Sequence, residues 1–162
     1  MIDKLYLQAL DKAYLELQTQ LSDKNALSNE FECFYAICTM LHWALDCVER
    51  IWVDDKQKYI EFRFANNQIK HNTKIISLQR IGGGLAFPPQ GIPFGVINDD
   101  KSVTPLLCFP AMEYKWSNVD ESLLSEFAKK QLPEYRTKIM GKSIIDTLTA
   151  LYQDIKANAM IS

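Results

Sequence analysis

The sequence predicts a mainly α fold: a helical bundle of about five helices with a β-hairpin-containing insertion. Three observations lead there. Apolar residues recur at three- and four-residue steps through both ends of the chain. The prolines and five of the six glycines fall between residues 82 and 133. Within that region two apolar runs flank Asn98-Asp99-Asp100-Lys101, a hairpin turn signal. The composition is that of a globular domain, with 48% hydrophobic and 23% charged residues in 162. A chain of that length buries a core without help from metal or disulfides. We therefore expect a single domain over residues 1–162, with a helical core at 3–72 and 117–160 and an insertion at about 75–116.

The first helix is read over residues 3–21, where Leu5, Ala9, Leu10, Ala13, Tyr14, Leu17 and Leu21 form a stripe and Asp3 is placed to cap it. Residues 22–25 break the pattern. Ser28 is then expected to cap a second helix running to about Trp52, whose stripe passes through Phe31, Phe34, Tyr35, Cys38, Leu41, Leu45, Val48 and Trp52. Its apolar middle, Cys33 to Leu45, is shorter than the roughly 20 residues of a membrane span. Glu32 and Asp46 bracket it, so it reads as the buried central helix. Asp54-Asp55 is expected to cap a third helix near 56–71.

After Asn72 the periodicity changes. Residues 75–81 form an isoleucine-rich run that Gly82-Gly83-Gly84 stops. Strands are expected at Phe94 to Ile97 and Val103 to Phe109, the second demoted to an edge by Pro105 and Pro110. Helix resumes at 121–132, capped by Ser117 or Asp120. Pro133 is expected to restart a turn before a long final helix carrying Tyr135, Ile139, Ile144, Leu148, Leu151, Tyr152 and Ile155, with Gly141 inside it at a kink or close contact.

The start of the chain shows no basic segment followed by an apolar run, so a cytoplasmic location and no membrane contact are expected. Three of the four cysteines, Cys33, Cys38 and Cys47, share the second helix, and Cys108 lies in the insertion. Reduced thiols follow. Cys38, His42 and Asp46 share helical spacing, but no second ligand pair completes a zinc set, so a buried helix is preferred and no metal or cofactor is expected. Gly141-Lys142-Ser143 resembles the end of a phosphate loop, but the earlier glycine falls on Arg136. The turn-rich stretch Phe87 to Phe94 reads equally as a partner-binding edge or as a loop folded over the bundle.

The formal charge of −2 hides an asymmetry. Residues 1–55 carry four basic and ten acidic side chains, whereas residues 56–80 carry six basic ones against Glu61 alone. A smaller basic run comprises Lys129, Lys130, Arg136, Lys138 and Lys142. Two readings stay open: a solvated helix face whose acidic partners come from the first two helices, or a surface that binds anions. The pI of about 5.7 argues against tight non-specific nucleic-acid binding but leaves room for a local RNA site.

Chemistry concentrates in residues 61–72. On a helix, Arg63, Asn67 and His71 are spaced i, i+4, i+8, and Asn66 and Lys70 form the neighbouring rail. Imidazole titrates near neutrality, and arginine and lysine are suited to phosphate oxygens. His71 is thus a candidate for proton transfer, Arg63 and Asn67 for its catalytic companions, and Lys70, Asn66 and Lys74 for substrate binding. Equally, His71 reads as the ordinary polar end of a helix.

An asparagine followed after three residues by a histidine, at the end of a bundle helix with basic neighbours, resembles the motif of the HEPN superfamily. The resemblance covers residues 28–72. It implies a small helical bundle, found in toxin–antitoxin, abortive-infection and CRISPR-associated systems, whose active members cut RNA without metal in a site shared by two chains. His71 then takes the histidine position and Asn67 the polar position. The arginine position falls on Asn66, and Arg63 lies a turn earlier. The implied function is a HEPN-like RNA-binding or RNA-cleaving protein, as a homodimer. The alternative is a non-catalytic immunity or antitoxin-type protein that neutralises a cognate protein partner with its acidic first half or its insertion.

Overall fold

In a computed structural model the chain is described over residues 2–24, 26–71, 73–81, 95–105 and 111–159. Five helices form the bundle: α1 (Lys4–Leu21), α2 (Glu30–Ile51), α3 (Ile60–Lys70), α4 (Glu126–Lys138) and α5 (Ile144–Ala159). Among the described residues, four short strands lie between α3 and α4: β1 (Ile76–Arg80), β2 (Gly95–Ile97), β3 (Val103–Pro105) and β4 (Met112–Trp116). Strands β1 and β4 pair antiparallel, Leu78 opposite Tyr114, and β2 and β3 form a separate hairpin. The expected mainly α bundle with its hairpin insertion is the observed architecture. The Gly82-Gly83-Gly84 stop, the Phe87 to Phe94 stretch, Cys108 and Pro110 lie outside the described residues.

Helix α1 begins as its sequence dictates, with the Asp3 carboxylate accepting the Leu5 N–H at 2.8 Å. Helix α2 is capped one residue later than expected: Asn29, not Ser28, accepts the Glu32 N–H at 2.9 Å. Its buried side chains, from Cys33 through Ile37, Met40, Leu41 and Ala44 to Val48, are met by α1, α3 and α5. Helix α2 has the length and composition to cross a membrane; half of that stretch is buried inside the bundle, and Phe31, Phe34 and Tyr35 of its first turns are exposed. Cys33, Cys38 and Cys47 are separate free thiols, the first and last buried. Burial pushes the Cys47 thiol up to about 11, so it packs as a small protonated apolar group.

Helix α3 starts at Ile60, four residues after the expected position. Asp55 makes a local turn by accepting the Gln57 N–H at 3.1 Å, and does not cap the helix. The residue before the helix is Tyr59, in the left-handed region at φ 56 with no side-chain cap. That backbone costs a non-glycine residue about 1–2 kcal/mol. It is held by what the side chain does: the ring packs against Trp52 and Phe62, and the hydroxyl donates a short hydrogen bond to Asp154 of α5. Glu61 follows, 5% exposed, its Oε2 without a hydrogen bond among the described residues and 3.7 Å from Lys138 Nζ of α4.

The last third departs most from expectation. A single turn of 3₁₀ helix at Glu121–Leu123, begun by Asp120, precedes α4, and Ser125 caps α4 by accepting the Ala128 N–H. Pro133 does not start a turn; it lies within α4 on an exposed position. The interruption falls instead at Gly141, at φ 78, between α4 and α5. There the Gly141 N–H donates to the Trp116 carbonyl at 2.7 Å, and the Trp116 N–H donates to Lys142 at 3.2 Å. Gly141-Lys142-Ser143 is therefore an edge stitched to β4. Trp116, fully buried, donates its indole N–H to Thr147 of α5 at 2.8 Å. Helix α5 also holds α1, through Lys156 and Tyr152 on Asp11 and a Tyr14–Tyr152 stack with ring centres 3.9 Å apart.

Two predictions follow from these contacts. Nothing lies within 4 Å of a Cβ built on Gly141, so Gly141→Ala tests backbone strain alone. It should lower stability by about 1 kcal/mol, or about 2–4 °C in Tm, in a thermal melt followed by circular dichroism, with Gly141→Asn costing less. Glu113 on β4 is bridged by Lys24 at 2.9 Å and Lys115 at 3.3 Å, which hold its carboxyl below the ordinary value of 4.5. A carboxylate depressed in the folded state stabilises it above pH 4.5 and loses that contribution as pH falls through the folded value. In urea titrations between pH 3 and 6, Glu113→Gln should therefore show a flatter acid limb than the parent, with equal slopes counting against the bridge.

Candidate functional site

Helix α3 turns Phe62, Phe64, Ala65 and Gln68 inward. The opposite side presents Arg63, Asn66, Asn67 and Lys70 to a groove of about 870 Å³ between α2, α3 and α4. The segment before α3 adds Lys56 and Gln57. Helix α2 adds His42, Asp46 and Glu49, and α4 adds Phe127, Lys130 and Gln131. Four of the six residues singled out in the sequence thus share one wall.

The electrostatics of that wall are uneven. Arg63 Nη1 donates to Glu49 Oε1 at 2.6 Å, and its side chain is only 20% exposed. Asp46 is engaged by Arg50, its neighbour on α2. Lys56, Lys70 and Lys130 form no ion pair among the described residues, and the Asn66 and Asn67 side chains form no hydrogen bond among them. The second basic run divides likewise: Lys129, Arg136 and Lys138 are paired with glutamates, and Lys130 alone of the run's α4 residues faces the groove. Both readings of the charge asymmetry are represented. The acidic first half does supply a partner to Arg63, and three ammonium groups remain on one surface.

His71 is the residue the spacing misplaces. It is the C-cap of α3, its N–H shared between the Asn67 and Gln68 carbonyls at 3.1 and 3.2 Å, and its ring is exposed but off the groove wall. An i, i+4, i+8 series is not a straight row. Each four-residue step overshoots the 3.6-residue turn by about 40°, so His71 has wound about 80° away from Arg63. Lys70, seven residues on, returns to within about 20° of Arg63. Lys74, past the end of the helix, lines a second and mostly apolar groove.

The imidazole that does line the first groove is His42, exposed on α2 with its ring edge-on to Trp43 at 4.9 Å. The sequence places it beside Cys38 as a zinc ligand or, preferably, as a hydrogen-bonded histidine on a buried helix, whereas it is exposed. The signal for its real place is the 42–46–49 spacing, a polar stripe on an otherwise apolar helix. Among the described residues no three His, Cys, Asp or Glu side chains gather closely enough to hold a metal ion. Among the described residues, the groove offers ammonium and amide donors that have no protein partner. Comparison with protein families, with curated proteins and with solved structures found no match to this chain.

Proposed function

We propose that the chain is an RNA-binding protein of the HEPN-like kind, holding the phosphodiester backbone in the groove between α2, α3 and α4. One observation carries this reading: Lys56, Lys70 and Lys130 come from three different elements and converge on one groove without carboxylate partners among the described residues, beside the open amides of Asn66 and Asn67. Lysines on one helix face are routine. Lysines that three elements bring together and leave unneutralised are an anion site, because their mutual repulsion is relieved when an anion binds. The toxin–antitoxin or phage-defence setting is what the sequence resemblance adds.

Binding is favoured over cleavage by two features. Arg63 is already neutralised by Glu49, and the motif's His71 stands off the wall that the phosphates would follow. Transfer of a proton at a bound phosphate needs a titratable side chain within hydrogen-bond reach, and the imidazole on this wall is His42 of α2, which is not the motif's histidine.

In fluorescence anisotropy with a labelled single-stranded RNA, Lys70→Glu combined with Lys130→Glu should weaken binding at least about tenfold. The slope of log affinity against log salt should fall by about 1.4, as expected for two lost phosphate contacts on a single strand. Absence of saturable binding by the parent, or equal binding by the double variant, removes the proposal. His71→Ala should leave the affinity unchanged, and RNA incubated with the protein in EDTA should stay intact. RNA cutting that disappears with His71→Ala would replace the binding reading with a nuclease one.

A further inference from the structure

The second groove lies along the free edge of β1 and is independent of the first. The hydrogen-bonded positions of β1 follow from its flanks: the Ser117 N–H donates to the Ile75 carbonyl and the Ile81 N–H to the Ala111 carbonyl, each at 2.8 Å. With the observed register, residues 75, 77, 79 and 81 face β4. Alternation along an antiparallel strand then turns the N–H and C=O groups of Ile76, Leu78 and Arg80 outward. No group among the described residues meets them. The far edge of β4 is occupied, by Lys24 on Met112 and by Gly141 and Lys142 on Trp116. Among the described residues, one edge of this small sheet is closed and the other is open.

Beside the open edge runs a groove of about 830 Å³ whose opposite wall is the first turns of α2. Its sides are apolar: Ile76, Leu78 and Tyr114 from the sheet, Phe31 and Phe34 from α2. Phe31 is 68%, Phe34 44% and Leu78 46% exposed, so a contiguous apolar strip is left in water. A free strand edge next to an apolar trough is the geometry of strand addition. The edge supplies main-chain hydrogen bonds, and the trough takes every second side chain of the incoming strand.

The charges at the two ends of β1 decide which strand fits. Lys74 and Arg80 are exposed, stand six residues or about 20 Å apart along the strand, and form no ion pair among the described residues. A second copy pairing antiparallel through this edge would set Lys74 of one chain opposite or diagonal to Arg80 of the other, and facing like charges destabilise a ladder. Glu30, on the α2 wall, is the carboxylate that lines the trough. We infer that the β1 edge and its apolar trough receive an extended segment of another protein, alternating apolar side chains along its middle and carrying carboxylates at both ends.

A library of random peptides displayed on phage, selected on the whole protein, tests this. The enriched peptides should alternate apolar residues between acidic ends. When added to the protein, they should slow amide exchange at Ile76, Leu78 and Arg80, leaving Ser77 and Gln79, already bonded to β4, unchanged. Leu78→Pro removes one outward donor without touching the β1–β4 ladder. It should weaken such peptides about tenfold while the thermal melt keeps its midpoint. Lys74→Glu with Arg80→Glu, which leaves the backbone alone, should turn the selection toward peptides with lysine ends. The inference is overturned if no peptide binds saturably, if bound peptides leave Ile76, Leu78 and Arg80 exchanging as before, or if the charge-reversed protein selects the same acidic ends. It is overturned too if sedimentation shows a dimer that Leu78→Pro dissolves, since the edge then belongs to a second copy.

Discussion

Helix α2 is buried on three sides, and the rest of the molecule is arranged to bury it. Helices α1, α5 and α3 each take part of its surface. Its inward positions are filled by a mixture of small residues such as Cys33, Ala36, Ala44 and Cys47 and large ones such as Ile37, Met40 and Leu41. The small residues let neighbouring backbones approach, and the large ones fill the spaces between, as close packing requires. Two parts of the helix stay uncovered: the exposed aromatics Phe31, Phe34 and Tyr35 of its first turns, and a polar stripe through His42, Asp46 and Glu49 that walls the cationic groove. The same constraint that builds the core thus fixes where a polar surface is able to form.

Much of this was legible from local pattern. The three- and four-residue stripes give α1 and α2 directly, and caps mark their starts within a turn, Asp3 at its own position and Ser28 one residue before the Asn29 that caps α2. The alternation Met112, Tyr114, Trp116 against Glu113 and Lys115 is a strand signal that sequence reasoning passed over beside Pro105 and Pro110. The start of α3 was not legible. It rests on Tyr59 reaching Asp154, 95 residues away, and no local rule places a tyrosine in the left-handed region. Pro133 and Gly141 exchanged roles for tertiary reasons. The proline sits on an outward position where its missing donor is tolerated, and the glycine is held in its turn by Trp116.

For the site, helical spacing was sufficient to bring Arg63, Asn66, Asn67 and Lys70 together and insufficient for His71, where accumulated winding and the helix end carry the ring away. His42 and Lys130 come from other helices, so their arrival depends on packing that single-helix periodicity does not encode. The end of α3 is also where the two grooves divide. Lys70 belongs to the cationic one, and its predecessor Ile69 to the apolar one. A single turn of helix therefore separates the cationic groove from the apolar one.

Helix α5 supplies the partner of Asp11 on α1, of Tyr59 before α3 and of Trp116 on β4. It is also the stretch of this bundle that leaves the ribosome after all the others. Until it emerges, α2 has one flank unclad, the strained tyrosine has nothing to grip, and the buried indole has no acceptor. Nascent chains of this protein should therefore gain their fold only once synthesis of the bundle is nearly finished, and a ribosome stalled before residue 144 would hold a chain in need of a chaperone.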